Sequence, residues 1–125
     1  MTQVLPTDAR ARKDTPITTG VLDYFPRALA AIARVSKAGN DQHNPGQPLH
    51  WAREKSTDHA DCIVRHLLER GTVDNDGQRH SAKLAWRALA LLETELERTA
   101  PAAWEDQLLL DLVGLPGVSR VTLFS

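Results

Sequence analysis

Apolar residues recur at helical spacing in three segments of the chain, and polar stretches separate these segments. The first pattern predicts a helix from Pro26 to about Lys37, because proline favours the first helical turn and Gly39 follows the last apolar position. The second predicts a helix over about 57–70, and the third predicts the longest helix, over about 79–98. The expected fold is therefore all-α, with three main helices, a short helix from Trp104 to Val113 and a C-terminal tail.

The apolar positions also predict which side of each helix is buried. In the second helix they have the spacing i, i+3, i+4 and i+7 and define an expected core face, Ala60, Ile63, Val64 and Leu67. In the third helix they cover most of the circumference, which is typical of a helix that is central or lies in an oligomer interface. We expect Trp86 to lie in the core, and Tyr24 and Phe25 to be core anchors before the first helix.

The segments between and around the helices lack apolar periodicity. Residues 1–20 are polar and contain turn signals, so we expect a flexible leader, a helical domain at 21–100 and a tail at 101–125 that contacts other subunits. The tail ends in a strand-like stretch, Val118 to Phe124. The loop from Gly39 to Lys55 is longer than most loops in compact domains, and such loops are often functional.

Composition and charge exclude several classes of protein. A length of 125 residues fits one domain, and a formal net charge of −1 argues against binding to nucleic-acid polymers, which favours basic proteins. Cys62 is the single cysteine, so the chain has no intramolecular disulfide, as is usual in a reducing compartment. The sequence contains no apolar run of ~20 residues and no signal-peptide core. We therefore expect a cytoplasmic protein without a membrane partner.

All five histidines lie in the middle of the chain, together with several lysines and arginines. If the second and third helices pack antiparallel, as their short connection indicates, their basic side chains converge beneath the long loop. Cationic side chains of this kind either bind phosphate or form a solvated charged face. Trp51 is expected either to stack on a base or to close the loop onto the core. The residues predicted to bind a nucleotide are Lys37, His43, Asn44, His50, Trp51, Lys55, Arg65, His66, His80, Lys83 and Arg87.

Two carboxylates at the start of the second helix offer a metal site. Asp58 and Asp61 are three residues apart, and such a pair can hold Mg²⁺ that bridges to substrate phosphates. The alternative is that they complement the helix dipole, with Asp61 paired to Arg65. The segment from Asp74 to Gly77 lacks the later acidic ligand of a calcium loop, so we expect it to form a turn, with Asp76 as the cap of the third helix.

A series of landmarks from Lys13 to Glu97 resembles a known family. The landmarks are Lys13-Asp14, Tyr24 to Leu29, Val35 to Lys37, Gly39, Trp51, Arg65 to Leu67, Asp74, Gly77, His80, Ala85-Trp86, Leu89 and Leu91-Leu92. In these positions the chain resembles the phage and prophage dATP/dGTP diphosphohydrolase N-terminal domain family. That family is similar to the all-α nucleotide pyrophosphohydrolases of the MazG type.

The resemblance implies a helical, homo-oligomeric, Mg²⁺-dependent enzyme that cleaves a purine deoxynucleoside triphosphate to the monophosphate and pyrophosphate. A phage-encoded protein of this kind would act in the host bacterial cytoplasm. MazG-type enzymes hold the metal with a Glu-Glu-x-x-Glu motif and a later Glu-x-x-Asp motif, and here only Asp58-x-x-Asp61 resembles the second.

Two alternatives stay open at this point. One is a non-catalytic phage sponge that sequesters a (cyclic) nucleotide signal of bacterial immunity, which needs cations and aromatic stacking but no metal ligands. The other is an interaction module that binds a partner through the segment from Trp104 onward.

Overall fold

The computed structural model describes residues 4–99, and within them the chain forms four α-helices and no β-strand. The helices are α1 (Ala9–Lys13), α2 (Pro26–His43), α3 (His59–Leu68) and α4 (His80–Thr99). The predicted all-α fold class is confirmed, whereas the helix, strand-like end and tail predicted after residue 100 lie outside the described residues. None of the helices in residues 4–99 has the length and apolar character needed to cross a membrane.

The chain divides into two compact units, residues 1–88 and 89–125. The first unit contains α1, α2, α3 and the first turns of α4. In the second unit the described residues continue α4, where Ala90 is buried and three leucines are about half exposed, Leu89, Leu92 and Leu96. Oligomer formation through this apolar stripe remains a prediction.

The segment predicted to be a flexible leader contains regular structure. Asp8 caps α1 by accepting a hydrogen bond of 2.9 Å from the backbone N–H of Ala11, and a π-helical turn follows at Thr18–Leu22. Tyr24 and Phe25 are 71% and 54% exposed and pack edge to face on each other, so their predicted role as core anchors is wrong within the described residues. The limits of the three predicted domains remain untested.

Helix α2 passes through Gly39 and ends at His43, so the predicted end near Lys37 is wrong. A glycine inside a helix costs ~1 kcal/mol relative to alanine. That cost is offset by the buried side chain of Asn40, which donates to the carbonyl of Gln47 at 3.0 Å and accepts from the N–H of His50 at 3.1 Å. These two bonds fasten the last turn of α2 to the loop that follows it.

Helix α3 turns a polar side inward, which corrects its predicted core face. His59 and Cys62 are buried, whereas Val64 and Leu67 are about half exposed. The buried series begins at His59, one residue before the apolar series that begins at Ala60. The reason is that α3 meets α4 through hydrogen bonds of His59 and His66. An apolar pattern in the sequence therefore pointed to the wrong side of this helix.

The connection between α3 and α4 is a tight reversal of the chain. The N–H of Asp74 donates to the carbonyl of Gln78 at 2.8 Å, and Gly77 has the positive φ of 83° that such a turn requires. This confirms the predicted turn over 74–77. It also makes the two helices antiparallel, so that the end of α3 faces the start of α4.

Candidate functional site

A cavity of about 780 Å³ lies in the first unit, with walls from α2, the loop after it, α3 and the first turns of α4. Volumes of ~300–1,000 Å³ are usual for small-molecule sites. Most of the residues predicted to bind a ligand line this cavity: His43, Asn44, His50, Trp51, Lys55, Asp58, His66, Lys83 and Arg87. The structure thus brings together side chains from positions far apart in the sequence.

Four of the predicted residues lie elsewhere in the described structure. Lys37 is exposed and forms an ion pair with Asp41 one helical turn later, and Asp61 is exposed on α3. Arg65 donates to the sulfur of Cys62 at 2.9 Å, and His80 is buried behind the cavity wall. Their predicted contacts with a ligand remain untested.

Lys83 is held by two carboxylates, one that sequence analysis had assigned to a turn, Asp74, and one that it had also assigned to the cap of the third helix, Asp76. Its Nζ lies 2.7 Å from Oδ2 of Asp74 and 2.8 Å from Oδ2 of Asp76. The hydrogen bond from Lys83 lowers the pKa of Asp74 and that of Asp76. Burial opposes the charge of the ammonium group, but the two hydrogen bonds prevail and raise the pKa of Lys83. An ammonium group has three donors, so one remains for a ligand.

Arg87 contacts two neighbouring residues at the start of α3. Its Nη1 lies 3.6 Å from Oδ1 of Asp58 and 3.3 Å from Nδ1 of His59. Because guanidinium groups only donate, Nδ1 of His59 accepts and the imidazole is neutral. Burial, followed by the charge of Arg87, lowers the pKa of His59 accordingly. Arg87 uses few of its five donors in these contacts, and it lines the cavity.

The carboxylate of Asp58 is surrounded by donors. The thiol of Cys62 donates to it at 3.4 Å, and Arg65 and Arg87 lie 3.8 Å and 3.6 Å away. The Cys62 hydrogen bond, with smaller contributions from Arg87 and Arg65, lowers the pKa of Asp58. Within residues 4–99, no group of three or more His, Cys, Asp or Glu side chains is placed to hold a metal ion. The roles of Asp58 and Asp61 as Mg²⁺ ligands remain a prediction.

Two indoles meet at the cavity wall. Trp51 and Trp86 pack edge to face with ring centroids 5.6 Å apart, and Arg53 lies 4.1 Å from the ring centroid of Trp51. Trp86 is half-buried and lines the cavity, so its predicted place in the core is corrected. Nε1 of Trp51 is buried and has no hydrogen-bond partner among the described residues. A buried N–H without a partner costs ~1–3 kcal/mol.

A further polar chain reaches the cavity and was missed from the sequence. Nε2 of His80 lies 3.1 Å from Oε2 of Glu69, and Nδ1 of His80 lies 3.0 Å from Nδ1 of His66. The sequence signal that could have revealed these three linked side chains is the antiparallel reversal, which sets the end of α3 opposite the start of α4.

The fold and the site together define an all-α protein whose cavity combines cations, imidazoles and indoles, a set suited to an anionic ligand with an aromatic part. The family described as dATP/dGTP diphosphohydrolase, N-terminal, matches residues 6–103. Because this match covers more than half of the chain, the protein belongs to that family, and the resemblance seen in the sequence is confirmed. Comparisons with curated proteins and with solved structures give no match.

Proposed function

We propose that the cavity binds a purine deoxynucleoside triphosphate and that the protein cleaves it to the monophosphate and pyrophosphate. One observation carries the proposal: a single cavity brings Lys55, Lys83 and Arg87 to the same walls as the Trp51–Trp86 pair. Membership of a family described by the hydrolysis of dATP and dGTP supports the choice of ligand.

The charges of the cavity favour a phosphate chain. Its lining contains three permanent cations, Lys55, Lys83 and Arg87, and two carboxylates, Asp58 and Asp76, which leaves an excess of one positive charge when the histidines are neutral. Charge-assisted hydrogen bonds to phosphate are about twice as strong as neutral ones. The phosphate chain is therefore proposed to lie along the first turns of α4, where donors of Lys83 and Arg87 remain available.

The indole pair is proposed to contact the base. Stacking of a base on an aromatic side chain contributes ~1–3 kcal/mol. The guanidinium group of Arg53 lies over one face of the Trp51 ring. A base that stacks on this face must displace the guanidinium group, and otherwise the base stacks on the opposite face.

A second function, the non-catalytic nucleotide sponge, is favoured by the contacts that the Asp58 carboxylate makes. A carboxylate engaged by two guanidinium groups and a thiol is poorly available to a metal ion. Such a protein would bind the nucleotide with the same cations and release it unchanged. Both functions predict binding, and they differ in the product.

The test is to incubate the protein with dATP, dGTP, other nucleoside triphosphates and cyclic nucleotides, each with Mg²⁺ and with EDTA. Binding is followed by calorimetry and products by chromatography. Release of pyrophosphate and the monophosphate supports the hydrolase, and its loss in EDTA supports the predicted Mg²⁺ requirement. Recovery of a tightly bound nucleotide intact supports the sponge. The absence of binding by every nucleotide overturns both functions.

A further inference from the structure

A continuous chain of three titratable side chains links the protein surface to the cavity. Glu69 is 62% exposed, His80 is 7% exposed, and His66 lines the cavity. The two links are 3.1 Å, from Glu69 to Nε2 of His80, and 3.0 Å, between the Nδ1 atoms of His80 and His66. Both distances are those of hydrogen bonds.

We propose that Glu69, His80 and His66 form a proton relay, with Nε2 of His66 as the general base that activates water in the cavity. The proposal rests on the proposed hydrolysis, because it names the residue that removes the proton from the attacking water. Glu69 and His80 act as positioning residues, since they act on the water only through His66.

The carboxylate of Glu69 determines the tautomers of both imidazoles. A carboxylate only accepts, so Nε2 of His80 carries a hydrogen, and in the neutral ring Nδ1 of His80 then has a free lone pair. Nδ1 of His66 must donate to that lone pair, because two lone pairs 3.0 Å apart would repel. The remaining nitrogen of His66, Nε2, therefore has the lone pair of a base.

The backbone holds the three residues in this order. Glu69 caps the end of α3, and the N–H of His80 donates to the carbonyl of Thr72 at 3.1 Å at the start of α4. The side chain of Thr72 donates to the carbonyl of Glu69 at 2.7 Å. The reversal between the helices thus fixes the carboxylate against the buried imidazole.

Burial and the nearby cations favour the neutral form of His66, which can accept a proton. Burial lowers the pKa of His66, the charge of Lys83 lowers it further, and Arg65 adds a smaller contribution in the same direction. Asp74 opposes this shift. A base that is neutral at physiological pH is the form that general base catalysis requires.

The proposed step conserves atoms and charge. Nε2 of His66 takes a proton from water, the water oxygen bonds to the α-phosphorus, and the bond from that phosphorus to the bridging oxygen breaks. Pyrophosphate leaves with the electron pair of the broken bond. The hydrogen on Nδ1 of His66 passes to Nδ1 of His80, and the resulting imidazolium lies against the carboxylate of Glu69. When Nε2 of His66 releases its proton to the departing pyrophosphate, the hydrogen on Nδ1 of His80 returns to Nδ1 of His66, which restores the starting tautomers.

Kinetics of the full chain with dATP and dGTP test this relay. Wild-type kcat is expected to rise with pH to a plateau as His66 loses its proton. His66→Gln should lower the plateau by about 10²-fold and abolish the rise, with a smaller effect on KM. Glu69→Gln should lower kcat by about fivefold and move the midpoint to lower pH, because the imidazolium loses its carboxylate. Glu95→Gln, an exposed residue of α4, is the matched control and should behave as wild type.

A second measurement does not depend on activity. Nitrogen NMR of the nucleotide-free protein near neutral pH should show His66 with hydrogen on Nδ1 and none on Nε2. Two results would overturn the relay and leave the hydrolase intact. One is the opposite tautomer of His66. The other is a wild-type pH profile in Glu69→Gln and His66→Gln variants that are folded by circular dichroism. A wild-type protein that hydrolyses no nucleotide would overturn the proposed function, and the base role with it.

Discussion

The indole N–H of Trp86 donates a hydrogen bond of 2.6 Å to the hydroxyl of Ser36, a residue fifty positions earlier in the chain. This bond joins α4 to α2 at the cavity wall, and both residues line the cavity. It also orients Trp86 so that its ring meets Trp51 edge to face. A single hydroxyl on α2 therefore helps to position both indoles of the site.

Replacement of Ser36 by alanine is expected to destabilise the protein by ~1–2 kcal/mol, because the half-buried indole N–H then lacks its partner. The urea unfolding midpoint, followed by tryptophan fluorescence and circular dichroism, measures this change. Ser81→Ala, an exposed serine of α4, is the control and should leave the midpoint nearly unchanged. Equal midpoints for the two variants would contradict a structural role for the Ser36–Trp86 bond.

Replacement of Asn40 by alanine is expected to free the loop after α2. Both loop hydrogen bonds of this buried side chain are lost, each with a typical contribution of ~1 kcal/mol. Trypsin should then cleave more rapidly after Arg53 and Lys55, and nucleotide affinity should fall several-fold. Asn75→Ala, in the exposed turn before α4, is the matched control. Unchanged cleavage in Asn40→Ala would show that other contacts hold the loop.

Removing the charge of Lys83 and removing the charge of its partner Asp76 should shift nucleotide affinity in opposite directions. Lys83→Ala removes a phosphate donor and leaves two carboxylates facing the ligand, so affinity should fall by tenfold or more, the usual weight of a charge-assisted bond. Asp76→Asn removes a competitor for the ammonium group, so affinity should rise. Calorimetry with dATP and dGTP measures both, with Lys13→Ala on α1 as the control for loss of a lysine. If Lys83→Ala binds as tightly as Lys13→Ala does, the proposed phosphate position is wrong.

Folding stability is expected to fall as the pH drops below about 6.5, the ordinary pKa of histidine. Burial lowers the pKa of His66 in the folded state, so the unfolded state binds the proton more readily in the window between the two pKa values. The contribution of His66 is therefore fully present above 6.5 and is lost as the pH falls through its folded pKa. Urea unfolding at pH 7.5 and at lower pH measures the loss, which should be smaller in His66→Gln. An equal loss in both proteins would assign the acid sensitivity to other groups.

Many residues of the site could be predicted from residue types, but the groups that hold these residues in place could not. The clustering of histidines and cations near a long loop led to Trp51, Lys83 and Arg87, and the structure places all three on one cavity. Asn40 and Glu69 were missed because they act through neighbours that only the folded chain supplies. Polar residues carry no periodic signal for such partners.

The sequence by itself determined the all-α class, the turn over 74–77, the antiparallel arrangement of α3 and α4 and the family, because helical periodicity and turn-forming residues are local properties of the chain. Only the tertiary structure decided which side of α3 faces inward and that Lys83 lies between two carboxylates. Burial depends on the sum of contacts between distant segments, and in α3 the hydrogen bonds of His59 and His66 to α4 prevailed over its apolar pattern. The chemistry of the cavity follows from that inward polar side.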